Sequence, residues 1–357
     1  MTEEHQEKSR RVLGLLRELD LDAVLLRSPG AAAWWSGGGA THIVATPEVG
    51  VATLVLRRDG DAVRTTVVTA VNEAPRLQAE ELAGLDAEWQ VLPWATPVEQ
   101  ALPTGDRVGT DVPLEGCRTV APELAVARAS LVPAEVERLR SLGADTAGAL
   151  TQACSQLRST DTERHAAALT GAALLERGVD PVVLLVAGGD RLPVHRHPLP
   201  TGGPLGDAAM VVACGRRHGL IVSLTRFVGA PSADAFDRIL EVDAAVNLAT
   251  RPGRTVGEVF RELQAAYVAH GLADDEWTRH HQGGPAGYAP RESLGDPSST
   301  VPVVDSQVFA WNPSAPGVKS EDTVLTTSDG PLVVTIDPDW PGREVGGLSR
   351  PLPRPYG

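Results

Sequence analysis

Apolar residues recur with two different periods along this chain, and the switches between them outline its elements. In residues 4–19, Val12, Leu15, Leu16 and Leu19 share one face at helical spacing. Leu21–Leu26 is a short apolar run stopped by Ser28-Pro-Gly, which predicts a buried strand entering a turn. Val49–Leu56 and Val63–Val68 flank Arg57-Arg-Asp-Gly60, the pattern of a β-hairpin. Helical and strand patterns then alternate to about Ser130, so residues 1–130 predict one α/β domain.

A second domain is predicted over residues 131–350. Pro133 suits a first helical turn, Glu135 and Glu137 suit its positive end, and Leu139, Leu142 and Ala149 continue an apolar face. Ser159-Thr-Asp-Thr-Glu163 is a capping signal for the next helix. Strands are expected at Val182–Val186, Ala208–Ala213, Leu220–Leu224, Phe309–Trp311, Thr323–Thr327 and Leu332–Ile336, with helices over 234–250 and 255–270. The Pro/Gly-rich residues 351–357 are expected to fray as a tail.

Composition narrows the function classes. A net charge of −14 with no basic tract gives no grip on nucleic-acid phosphates. No apolar run is long enough for a transmembrane helix, and the polar N-terminus has no secretory h-region. The three cysteines, Cys117, Cys154 and Cys214, form no motif, and their odd number suits a reducing cytoplasm. A cytoplasmic protein without nucleic-acid or membrane partners is therefore expected.

The candidate chemistry sits late in the chain. His280-His281-Gln-Gly-Gly-Pro-Ala-Gly-Tyr288-Ala-Pro-Arg291-Glu292 is followed by Trp311-Asn312-Pro and Lys319-Ser-Glu321-Asp322. Earlier landmarks are Pro133-Ala-Glu-Val, Gly206-Asp-Ala-Ala-Met-Val-Val-Ala-Cys-Gly215 and Ser223-Leu-Thr-Arg-Phe-Val. In this order and spacing they resemble the creatinase / Xaa-Pro peptidase family of pita-bread enzymes, and the resemblance covers most of the chain. It implies a creatinase-type α/β N-terminal domain, a pita-bread C-terminal domain and a homodimer.

Metallopeptidases of that family hold two metal ions with Asp, Asp, His, Glu and Glu. Laid over this chain, those positions fall on Ala213, Ser223, Gly284, Asn312 and Glu321, and only the last keeps a ligand. No Asp occurs from Ala208 to Phe227, so no shift of register restores one. Hard divalent ions need several anionic oxygens or imidazoles, so a metal pair is not expected. Creatinases resemble these peptidases but cleave a guanidino C–N bond without metal, using a histidine as proton shuttle. Counting back from Gly206 places that histidine on His195, or on His197 if the loop is gapped.

The resemblance then implies a metal-independent enzyme acting on a small amidino, amide or amino-acid-like substrate, or on a short peptide. Hydrolysis of a C–N bond is the leading expectation, and elimination or cyclisation would use the same proton transfers. His195 would be the base and acid, His280 its relay partner and Glu321 the anchor or second acid/base. Arg291, a planar fork where the peptidases carry a histidine, would hold a carboxylate. His197, His281, Asn312, Ser223 and Tyr288 would line the pocket, as would His218 and, across a dimer, Trp34 or Trp35. Each also has a structural reading as a packed or hydrogen-bonded residue. No cofactor is expected. The alternatives are a single zinc on His195, His197, His280 and Glu321, an Xaa-Pro-type metallopeptidase, and an inactive pita-bread module that binds peptides.

Overall fold

A computed structural model describes residues 2–357, which form two compact units. The first runs to Glu135 and includes His218–Leu220; the second comprises Val136–Arg217 and Ile221–Gly357.

The first unit is built on a six-stranded sheet in the order Glu88–Leu92, Ala62–Ala70, Ala52–Asp59, Ala23–Leu26, Val108–Thr110, Arg118–Thr119. The expected hairpin forms with Asp59 opposite Ala62, and Gly60 takes the left-handed conformation (φ 61°) that the tight turn requires. Leu25, Val55, Val68, Leu102 and Val108 pack into a common core. The helix Glu3–Glu18 is capped by Thr2, whose hydroxyl accepts from the His5 N–H, and it buries Val12 and Leu16.

The Ser28-Pro-Gly signal marks a helix start, not a turn. Ser28 caps the helix Pro29–Ser36 by accepting from the Ala31 N–H, with Pro29 in its first turn. This helix carries Trp34 and Trp35 inward, where they are 0% and 1% exposed. The Trp35 indole donates to Thr65 Oγ1 at 3.1 Å, and Lys8 Nζ donates to the Trp34 carbonyl. The expectation that either tryptophan lines a neighbouring subunit's pocket is therefore corrected: both are enclosed core residues.

Helix Pro133–Cys154 carries the chain from one unit into the next. Glu135, whose carboxylate pairs with buried Lys8 at 2.8 Å, groups with the first unit. The second unit contains a three-stranded sheet, Asp180–Gly188, Ala208–Arg217 and Leu220–Gly229. A four-stranded antiparallel sheet follows in the order Gly283–Ala286, Val308–Trp311, Asp322–Thr327, Gly330–Val333. Helices Ala233–Ala249 and Val256–Ala269, the latter opened by a Thr255/Glu258 capping box, pack Phe236, Ile239, Leu240, Val259 and Phe260 with Phe309, Trp311 and Val324. Each large apolar side chain so buried contributes about 1.5–3 kcal/mol.

The end of the chain is docked, which corrects the expected frayed tail. Arg354 exchanges backbone hydrogen bonds with Phe227 and Gly229, at 2.9 and 2.8 Å, along strand Leu220–Gly229. Gly357 N–H donates to the Leu157 carbonyl at 3.0 Å, and Trp340 Nε1 donates to the Leu352 carbonyl. The sheet edge leaves backbone groups that the tail satisfies. Among the described residues, no helix is long and apolar enough to cross a membrane.

Candidate functional site

Strand pairing gathers the late motifs at one end of the four-stranded sheet. Gly283 lies opposite Trp311, and Trp311 opposite Asp322. The residues just outside this row, His281 and Gln282, Asn312, and Glu321, therefore converge. Asn312 N–H donates to the Gln282 carbonyl at 3.0 Å. Gly283 and Gly284 have φ of 86° and 144°, where only glycine sits without strain. This run has little β-branched signal, which is why the strand Gly283–Ala286 is not legible in sequence.

His280 ends the 3-10 turn Glu276–Arg279 and is 9% exposed. Its Nδ1 lies 3.2 Å from Ser314 Oγ, and its Nε2 lies 2.9 Å from His197 Nε2. Ser314 sits on a small hairpin opposite Lys319. Tyr267 braces both parts: its hydroxyl donates to Gln282 Oε1 at 2.8 Å and accepts from the Ser314 N–H at 2.9 Å. The loop carrying His197 is tied down by Arg196, whose guanidinium meets buried Glu276 at 2.5 Å. The His281 ring lies beside both histidines, with centroids 4.6 Å from His280 and 5.2 Å from His197. One ring nitrogen from each of the three lies within 4.8 Å of the others.

Glu321, 2% exposed, is the carboxylate of the site. Its Oε2 is 2.7 Å from Lys319 Nζ and accepts from Thr225 Oγ1 at 3.0 Å, while its Oε1 accepts from Arg291 at 2.8 Å. Burial opposes its charge, but Lys319 and Arg291 overcome that and hold its pKa at about 2. The histidines respond oppositely. Burial, then Lys319, lowers the His280 pKa to about 2; burial, then Arg291, lowers His281 to about 4. Burial and Lys319 also lower His197. Near neutral pH the site therefore holds three neutral imidazoles, one carboxylate and two cations.

The remaining residues divide clearly. Ser223 Oγ lies 3.1 Å from Cys214 Sγ and 3.5 Å from Arg291. Asn312 is 2% exposed, and its Oδ1 is buried with no hydrogen-bond partner. Tyr288 is buried, its N–H donating to Glu292. His195 is exposed on the loop and lines a small cleft with Ser314 and Lys319; it is not one of the three clustered histidines. His218 is exposed in the turn between two strands and belongs to the first unit. Sequence reasoning missed Tyr267, Glu276 and Ser314. Each acts by holding another residue, and no spacing motif signals that role.

An α/β unit followed by a unit of antiparallel sheets packed with long helices, its polar cluster at one sheet end, defines a pita-bread protein. The model of metallopeptidase family M24 matches residues 137–328, and the chain belongs to that family. It superposes on the prolidase from Pyrococcus horikoshii OT3 with TM-score 0.75 and 16% identity, over 92% of this chain and 98% of that one. Dipeptidase PepE from Mycobacterium ulcerans gives TM-score 0.73 and 18% identity, over 94% and 96%. The N-terminal domain of FACT complex subunit SPT16 from chickpea, Cicer arietinum, gives 0.66 and 13%, over 92% and 96%. These likenesses show the fold. No curated protein matches the chain in sequence.

The family name implies metal, and the donor set at the matching positions is poor. Ala213 and Gly284 offer no side-chain donor, and Ser223 and Asn312 offer only neutral oxygens and an amide nitrogen. A Cβ at Gly284 would lie 2.8 Å from both Gly295 N and Ser293 O, so no histidine fits there without moving that backbone. Glu321 is already paired with two protein cations, Arg291 and Lys319. These residues do not fit a pair of divalent ions.

Proposed function

We propose that this chain is a hydrolase that cleaves a C–N bond in a small amide or amidino substrate bearing a carboxylate, by proton transfer between side chains and independently of a metal pair. The observation that carries the reading is the His197 Nε2–His280 Nε2 contact at 2.9 Å beside the Arg291–Glu321–Lys319 cluster. Two neutral imidazoles facing through Nε2 hold one proton between one donor and one lone pair, which is the equipment of a proton shuttle.

In this reading a water oxygen attacks the substrate carbon and loses a proton to His197. The new C–O bond forms, the C–N bond breaks, and the imidazolium returns the proton to the leaving nitrogen. His280, oriented by Ser314, stays neutral and accepts a hydrogen bond from the protonated His197 ring through Nε2. Two cations against one carboxylate leave one net positive charge, which favours an anionic substrate group. The Asn312 amide and the His281 ring offer further polar contacts. An elimination or cyclisation would use the same groups. His197 thus takes the role that sequence spacing assigned first to His195. A homodimer is part of the proposal, on the family resemblance alone.

The test is a panel of N-acyl, ureido and guanidino amino acids, offered to chelator-treated protein. Turnover is expected without added metal, and His197→Ala should lower kcat/KM by about a hundredfold or more. Turnover that appears only with added divalent ions would favour a metallopeptidase. Short peptides binding equally to wild type and variant, with no turnover, would favour an inactive module.

A further inference from the structure

None of the family's metal positions falls on a histidine here, yet three histidines meet beside them. We infer that His197, His280 and His281 form a separate site for one zinc ion. Their donor atoms lie within 4.8 Å of one another, and the closest pair are the two Nε2 atoms at 2.9 Å. Tetrahedral zinc with bonds of about 2.0–2.1 Å places its ligand nitrogens roughly 3.4 Å apart.

The surroundings are those of a metal site. Ser314 Oγ engages His280 Nδ1, leaving Nε2 to face the cluster, as an orienting partner does for a ligating imidazole. His281 Nδ1 is buried without a hydrogen-bond partner, so a bound ion would satisfy a group the protein leaves unmet. His280 and His281 are adjacent and fixed by the turn Glu276–Arg279, and His197 is brought in by the Arg196–Glu276 ion pair. Three imidazoles and an open fourth position suit zinc and disfavour the hard ions magnesium, calcium and manganese. Lys319 and Arg291 act against a nearby cation, and Glu321 offsets part of their charge.

Zinc binding stands apart from the proposed hydrolysis, but its consequence rests on that reading. An ion on His197 and His280 takes the lone pairs that a proton shuttle needs. Metal occupancy and proton transfer then exclude each other, and zinc becomes a reversible stop on the reaction.

The experiment is titration of the chelator-stripped, full-length chain with zinc chloride at neutral pH, followed by calorimetry, with cobalt(II) absorption as a second readout. One saturable ion per chain is expected, with visible bands of tetrahedral intensity for cobalt. His281→Ala should weaken zinc binding by about tenfold or more, and His281→Asn should behave likewise. The exposed His165→Ala should bind as wild type does. Circular dichroism confirms that each variant is folded; if both His281 variants unfold, cobalt bands in the wild type decide the matter. No saturable site in the wild type, or equal affinity in a folded His281 variant, overturns the inference. Zinc binding without turnover by metal-free protein would leave the metal site standing and remove the hydrolase reading. Turnover without zinc binding would do the reverse.

Discussion

Glu321 is the buried carboxylate of the site, and two cations hold it. Replacing it by Gln strands Lys319 and Arg291, whose side chains are 5% and 14% exposed, without their counter-charge. Breaking a buried pair from one side costs about 3–5 kcal/mol. Glu321→Gln should therefore lower stability by roughly 3 kcal/mol in urea unfolding; an unchanged midpoint would show that water already screens the cluster. The histidines add a pH dependence. His280 titrates at about 2 when folded, against the usual 6.5. Between those values the unfolded chain binds a proton that the folded chain refuses. Its effect is absent above about pH 6.5 and destabilises progressively as pH falls below it, by about 1.4 kcal/mol per pH unit. In the presence of chelator, His280→Gln should flatten the decline of unfolding free energy through mildly acidic pH. A slope identical to wild type would mean that His280 is charged in the fold.

At the scale of elements, two short segments set the site: the His197 loop and the turn before His280, joined through Arg196 and Glu276. Glu276→Gln removes the charge that fixes the loop while leaving every proposed proton carrier in place. If turnover is found, this variant should lower kcat by about tenfold, since misplaced reacting groups lose rate steeply, with the pH profile unchanged in shape. A change in KM alone would place Glu276 outside catalytic positioning. The long helices were legible because apolar periodicity and caps agree, as at Thr162 and Thr255. The helix bearing Trp34 and Trp35 was not, since Ser28-Pro-Gly reads equally as a turn and as a cap followed by Pro at the first position. The strand Gly283–Ala286 was hidden because its pairing is set by Val308–Trp311 and not by its own propensity.

For the whole molecule, ordered family landmarks made the fold readable. What remained hidden was which loop histidine reaches His280. His195 and His197 lie two residues apart, and spacing alone left both open; the His197 ring meets His280, and the loop's Arg196 pairs with Glu276. The docked end was likewise invisible, because its hydrogen bonds go to a strand edge far back in the chain. Truncation after Leu352 should remove the Arg354 and Gly357 backbone bonds and lower the thermal midpoint by several degrees; an unchanged midpoint would mark the tail as dispensable. The central claim is that this M24 fold works through imidazole proton transfer and not through a metal pair. The most direct measurement is the rate of C–N hydrolysis by chelator-treated wild-type protein beside His197→Ala. Metal-free turnover in the wild type, lost by about a hundredfold or more in the variant, is the predicted result. Turnover that needs two added divalent ions per chain, or that survives His197→Ala undiminished, would contradict it.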